Sequence, residues 1–318
     1  MHDDPPRKRT RAGESWDVSA LDLDAYLRRI GHDGPRTATA DVLRALHRAH
    51  MSTMRFTNLD LFMGSAVRLD VPTLQNKLVH RRRGGYCLEQ NMLFAAALER
   101  LGFTVRRYLS RIRRGDDAVR ARGHAVLLVD VDGERLLCDA GFGDEGLIEP
   151  IPLTDRATLT VGEWTWRVGL DEDEWVLRSQ RPDGWFDVFG LRLERHHPVD
   201  FDTSNHFMSS HPRSAFVGQL IAQRGDEHLR HSLQNLKLTT QYPDGRREHR
   251  LLATGDVGPV LGDVFGLTVT AHEEPLLQAA LVEAAALERR KAAARRPQAP
   301  APQDRPDAPA AARRPATL

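Results

Sequence analysis

A chain of 318 residues, 41% of them hydrophobic, is long enough to bury more than one core, and two cysteines exclude a disulfide framework. No apolar run is long enough to cross a bilayer and residues 1–15 are too polar for a secretory signal, so a reducing, cytoplasmic compartment is expected. The net charge of +1 is unevenly spread: residues 289–318 hold eight basic residues against two acidic ones, which leaves the body acidic. That Ala-, Pro- and Arg-rich end has no aromatic residue and reads as a solvated, disordered tail rather than a nucleic-acid or membrane-binding arm. Residues 1–15 are expected to be disordered as well.

Apolar periodicity predicts helices over 21–30 and 42–50, the second behind a Thr39–Asp41 cap region, and another over 73–82. Residues 88–101 are rich in Leu, Ala, Met and Glu and stop at Gly102, which predicts a helix with a glycine C-cap. The Gly84-Gly85 turn delivers Cys87 to the start of that helix. Unpaired N–H groups and the helix dipole there stabilise a thiolate and draw its pKa down from about 8.5. Arg81, Arg82 and Arg83 act in the same direction. From Phe103 the pattern changes to strands, including 164–170 and 175–179, with turns at Asp171–Glu174 and Pro182-Asp183-Gly184. Beyond residues 205–214, the stretch 216–222 suits a helix or a strand, 235–241 and 247–252 flank Pro243-Asp244-Gly245 as a hairpin, and 275–290 forms a last helix.

Two apolar runs around Asp132-Gly133 make the most informative hairpin. With a two-residue loop, Val131 faces Glu134, Val126 faces Asp139 and His124 faces Gly141. Side chains two apart share a face, so His124 and Asp139 become diagonal neighbours about 7 Å apart at the backbone, within reach of an imidazole–carboxylate hydrogen bond. Cys138 points to the opposite face and reads as packing. Cys87, His124 and Asp139 thereby compose a papain-like thiol triad: the carboxylate orients the imidazole, the imidazole takes the thiol proton, and the thiolate attacks an acyl carbon.

These residues resemble the arylamine N-acetyltransferase family. The likeness rests on Arg83-Gly84-Gly85-Tyr86-Cys87, Gly123-His124 and Asp139-Ala140-Gly141-Phe142-Gly143, with support from 21–27, 56–60, Asn205, Ser209, His211-Pro212, 214–216 and 236–238. It implies an α+β fold: an N-terminal helical domain (16–102), a central barrel-like β domain (103–204) and a C-terminal α/β lid (205–288). It also implies that no cofactor is held permanently and that acetyl-coenzyme A is the acyl donor. Cys87 would be acetylated, and an arylamine, arylhydrazine or N-hydroxyarylamine would then take the group. Gly141, Phe142 and Gly143 match the loop near the coenzyme phosphates, where glycine N–H groups can approach an anion. An amide synthase closing a macrolactam from an aromatic-amine-primed polyketide uses the same triad and is the alternative. A papain-like thiol hydrolase is a third reading.

Two positions depart from the family pattern. Thr57 stands where a glutamate usually pairs with the arginine matching Arg83, leaving Glu89 or Asp60 as replacement partners, and Ala140 replaces a common valine. The histidines at 196, 197, 206 and 211 lack the spacing and companions of a zinc site, and no Walker loop or GxGxxG run follows a strand, so nucleotide hydrolysis and dinucleotide redox chemistry lack support. Oligomeric state is not legible.

Overall fold

A computed structural model describes residues 16–116 and 118–294, so the N-terminal segment and the end of the basic tail lie outside the described residues. Helix α1 (Leu23–Ile30) starts where the Asp22 carboxylate accepts from the N–H of Ala25 at 2.9 Å and stops at Gly31, in the left-handed region. Helix α2 (Ala40–Thr53) is capped by Thr39, and strand β1 (Phe56–Thr57) and the single-turn helix α3 (Leu59–Phe62) follow. The helix expected over 73–82 begins earlier, as α4 (Val71–Leu74), and widens into a π-helical stretch over Gln75–His80, closed by an Arg81 N–H to Asn76 carbonyl bond. Helix α5 (Cys87–Arg100) is the hub of this region. Its first twelve side chains, Cys87 to Leu98, are all buried, so what fixes it is tertiary packing rather than an amphipathic stripe.

Eight strands follow α5 and build one antiparallel sheet: β2 (Thr104–Ile112), β3 (His124–Val131), β4 (Glu134–Cys138), β5 (Ile151–Pro152), β6 (Thr158–Val161), β7 (Trp164–Asp171), β8 (Glu174–Arg181) and β9 (Gly184–Leu191). The order β5-β4-β3-β2-β9-β8-β7-β6 curls into a nearly closed barrel around Trp166, Val188 and Phe189. Helix α6 (Pro198–Ser210) then leads to β10 (Ile221–Gly225), β11 (Arg230–Gln234), β12 (Lys237–Gln241) and β13 (Arg247–Leu251). These four continue from β1 in a second antiparallel sheet, ordered β1-β10-β11-β12-β13, which helices α7 (Val257–Phe265) and α8 (Glu274–Ala294) accompany. The fold is therefore α+β, with three buried apolar clusters: one around α1, α2 and α5, one inside the barrel, and one between the second sheet and α7 and α8. No helix among the described residues is long and apolar enough to cross a membrane.

Three details differ from the sequence expectations. The domain boundary drawn after residue 204 falls inside α6, which Pro198 opens at its first position. The ambiguous stretch 216–222 is a turn that enters β10, and the tail drawn from residue 289 still belongs to α8 as far as Ala294.

The missing glutamate at position 57 is compensated from two directions. Arg83 donates through Nε to Asp60 Oδ1 at 2.8 Å, lies 3.1 Å from Glu273 Oε1, and donates through Nη1 to the Thr268 carbonyl at 2.6 Å. Asp60 was one of the two partners anticipated. Glu89 instead pairs with Lys77 at 2.7 Å, and Glu273 comes from the far end of the chain. Arg83 thus fastens the turn before Cys87 to both α3 and the segment entering α8. Replacing Arg83 with methionine leaves two carboxylates without their partner, and urea unfolding is expected to show a loss of about 3–5 kcal/mol.

Candidate active site

Cys87, His124 and Asp139 come together because two elements meet edge to end. The β3–β4 hairpin has the expected register, with Val131 opposite Glu134 and Leu127 opposite Cys138. Past Cys138 the chain leaves the ladder, and Asp139 turns back beneath His124, whose Nε2 lies 2.6 Å from Asp139 Oδ2. Both residues are buried. With Nε2 held by the carboxylate, Nδ1 is the ring nitrogen left for Cys87, whose charge acts on the imidazole. The Cys87 thiol also lies 3.5 Å from the Gly123 carbonyl.

Burial alone would lower the His124 pKa, but Asp139 and the Cys87 thiolate outweigh it and raise the imidazole to about 10. The imidazole is therefore protonated near neutral pH. Two rings pack against the imidazole, Phe142 at 5.0 Å and Phe189 at 5.2 Å between centroids, and against each other at 5.9 Å. These contacts limit how the imidazole can rotate.

Polar residues inside the apolar α5 core carry the support. Asn91, one turn beyond Cys87, donates Nδ2 to Asp139 Oδ1 at 3.0 Å and to the Ala125 carbonyl at 2.8 Å, and its Oδ1 accepts from the Ala140 N–H at 3.0 Å. It therefore ties the nucleophile helix to β3 and to the Asp139 turn at once. His47 Nε2 accepts from the Asp139 N–H at 3.2 Å while its Nδ1 donates to the Ile148 carbonyl at 3.0 Å, a pairing that requires the neutral ring, and burial lowers its pKa accordingly. Next to Asn91, Gln90 accepts from His50 Nε2 at 2.9 Å and donates to the Arg55 and Gly85 carbonyls, while the Tyr26 hydroxyl donates to His50 Nδ1 at 2.8 Å. This chain holds the Gly84-Gly85 turn. Gly84 has φ +70, and a Cβ there would lie 2.5 Å from the Arg55 carbonyl oxygen. Glu89 accepts from the Tyr86 N–H at 3.1 Å, closing the first turn. The sequence expectations give Asn91, Gln90, His47 and His50 no part in the site. The signal was present in Glu89-Gln90-Asn91, three polar residues in succession within an otherwise apolar helix.

Gly141, Phe142 and Gly143 sit beside the triad in three different roles. The Gly141 N–H donates to Asp139 Oδ1 at 3.1 Å, and a Cβ at this position would lie 3.0 Å from the backbone of Cys87. Its N–H is therefore not free for a phosphate, which corrects the expectation for that atom. The glycine is needed so that two backbones can touch. Phe142 lines the cleft, and Gly143 takes φ +99 against Gln223. Ala140 is buried beside them.

Cys87, His124 and Phe142 open into a cleft of about 1010 Å³ that reaches from the barrel to the second sheet. Phe186, Val188, Phe207, Met208 and Phe216 supply apolar wall, and Arg111, Arg114, Arg213 and Arg247 supply guanidinium groups that form no ion pair among the described residues. A thiol triad at the end of such a cleft is suited to acyl transfer. The sequence matches the N-acetyltransferase family over residues 39–274. The chain belongs to the arylamine N-acetyltransferase family. It is 32% identical to the Escherichia coli arylamine N-acetyltransferase over 83% of this chain and 95% of that protein. The Nocardia farcinica arylamine N-acetyltransferase structure superposes with a TM-score of 0.79 at 39% identity, covering 84% of this chain and 96% of that one. The Mycobacterium marinum enzyme in complex with CoA gives a TM-score of 0.77 at 35% identity, covering 82% and 98%. This chain is thus an acyltransferase of that family.

Two outcomes check the site. Replacing Asn91 with alanine frees the Asp139 turn, and the acyl-transfer rate is expected to fall on the order of a hundredfold while Cys87 remains alkylatable. The second concerns pH. Burial lowers His50 from 6.5 to about 3, so its contribution is present above 6.5 and declines as pH falls toward 3, whereas that of His124, raised to about 10, is complete below 6.5 and declines as pH rises through 10. Urea unfolding across pH should show both limbs, each approaching about 1.4 kcal/mol per pH unit, with the alkaline limb absent from His124→Gln.

Proposed function

We propose that the enzyme moves an acetyl group from acetyl-coenzyme A to an aromatic amine, hydrazine or N-hydroxyarylamine by a ping-pong route through acetyl-Cys87. The observation that carries this reading is the buried His124–Asp139 pair, whose imidazole lines the same cleft as a thiol at a helix N-terminus, with arginines at the rim. In the first half-reaction the Cys87 thiolate attacks the acetyl carbonyl carbon, the carbon–sulfur bond to the coenzyme breaks, and the departing thiolate takes the proton held by His124. In the second, the amine nitrogen attacks acetyl-Cys87 and gives a proton to His124. The carbon–sulfur bond then breaks and restores the thiolate–imidazolium pair. No metal or resident cofactor enters either step.

The four unpaired arginines suit the phosphates of a coenzyme, and the CoA bound to the Mycobacterium marinum relative supports that donor. Phe142 and Gly143 remain in place to flank such a ligand, with Gly141 acting through the backbone contact to Cys87. Both cysteines are free, which suits a reducing compartment such as the cytoplasm.

Intact-mass spectrometry of the enzyme mixed with acetyl-coenzyme A and no acceptor tests the reading. One acetyl group is expected on Cys87, absent from Cys87→Ala, and discharged by an added arylamine. An adduct lost to water at the same rate with or without amine would indicate a hydrolase. No adduct from acetyl-coenzyme A, but one from a larger acyl donor, would move the assignment to the amide synthase.

A further inference from the structure

The cleft is charged in two layers. Arg114, Arg213 and Arg247 are exposed at its rim, whereas Cys87, His124 and Glu145 are buried in its floor, with Phe142 and Asp144 half-buried beside them. The two floor carboxylates have different surroundings. Glu145 is saturated: Arg181 donates to it at 2.7 Å, Arg230 at 2.8 Å and the Ser179 hydroxyl at 2.8 Å, and Arg230 is itself covered by the Trp164 ring. Asp144 forms no ion pair among the described residues. Its carboxylate accepts from backbone N–H groups alone, that of Glu145 at 3.0 Å.

Burial and the neighbouring Glu145 raise the Asp144 carboxyl to about 6, against the pull of Arg230, so the group is ionised at neutral pH. No side chain among the described residues pairs or hydrogen-bonds with this carboxylate, yet the residue stands two positions from the ring that packs on His124. A negative group with open acceptor capacity at the floor of a binding cleft selects for a hydrogen-bond donor in whatever occupies it. The reacting nitrogen must approach acetyl-Cys87 uncharged, so the donor has to be a second group on the same molecule.

On the basis of the acetyl-transfer reading above, we propose that Asp144 is a specificity-determining residue that receives an N–H or ammonium group carried by the acceptor beyond its reacting nitrogen. The acceptor class it favours is an arylamine or aryl hydrazide with a second cationic or N–H-donating group. Arylamines bearing a carboxylate are disfavoured, because they bring a like charge into a poorly solvated floor. The basic rim does not cancel this preference, since it lies in solvent, where its charge is screened.

The test compares 4-(aminomethyl)aniline, 4-methylaniline and 4-aminobenzoate as acceptors for the full-length enzyme, Asp144→Asn and Asp144→Glu. Asparagine keeps the shape and still accepts from the Glu145 N–H while removing the charge. The wild type should favour the cationic acceptor over the anionic one, and Asp144→Asn should reduce that kcat/KM ratio roughly tenfold or more, chiefly through KM. Asp144→Glu should recover part of it. A ratio that does not move in Asp144→Asn, or a wild type that prefers the carboxylate, overturns the proposal. Acetyl-Cys87 is followed by mass in the same samples: if it forms and the ratio is unmoved, the Asp144 inference alone fails, and if it never forms, the acetyl-transfer reading fails first.

Discussion

The close approach of the Asp139–Gly141 turn to the first turn of α5 is the constraint on which the rest of the site depends. A strand hairpin and a helix present their backbones to each other with no side chain between them, and Gly141 permits it: a Cβ there would lie 2.8 Å from Asn91 Nδ2 and 3.0 Å from Cys87. Asn91 then bonds across the junction to three groups, the Asp139 carboxylate, the Ala125 carbonyl and the Ala140 N–H. Because these polar atoms are buried, each missing bond would cost the desolvation of its partner, so the junction has one well-satisfied arrangement. That arrangement aims His124 at Cys87.

Charge is organised outward from this junction. At its centre, the His124 imidazolium is held by the Asp139 carboxylate beside the Cys87 side chain. Around it, His47 and His50 are kept neutral by burial so that one nitrogen of each can accept, and Glu89 is matched by Lys77. Further out, Arg83 bridges Asp60 and Glu273, linking the nucleophile's turn to the C-terminal helix. The replacement of a usual glutamate by Thr57 has therefore not left an uncompensated cation. Its hydroxyl accepts from the Leu59 N–H at 3.0 Å, a local turn contact, while the ion pairing has moved to residues 3 and 216 positions away. Charge balance of this kind constrains a sum over neighbours rather than any one residue.

The cleft separates tasks by depth. Guanidinium groups in solvent can attract a polyanionic donor without desolvation, while the deeper groups act where water is scarce and each charge is felt strongly. Helix α6 joins the two levels: Ser204 donates to the Arg122 carbonyl at 2.8 Å, Met208 packs on Gly123, and Asn205 accepts from the Tyr86 hydroxyl. It thus holds the residues immediately before both Cys87 and His124.

The sequence by itself determined the local chemistry: a thiol at a helix N-terminus, and a hairpin whose two-residue loop fixes the register from Val131 opposite Glu134 to Leu127 opposite Cys138, because strand period and loop length leave no freedom once the turn is known. Asp139, by contrast, reaches His124 from the turn that follows the strand. The helical start, the change to strands at residue 103 and the last helix were legible for the same reason. Only the tertiary structure decided the long-range partners. Asp60 and Glu273 for Arg83, Asn91 for Asp139, and the use of the Gly141 N–H within the site all depend on which surfaces meet. So does α6, whose polar sequence gives little amphipathic signal but whose Phe201, Ser204 and Asn205 find burial against neighbours distant in sequence. Local sterics act within a few residues, whereas the satisfaction of buried polar groups is settled by the whole chain.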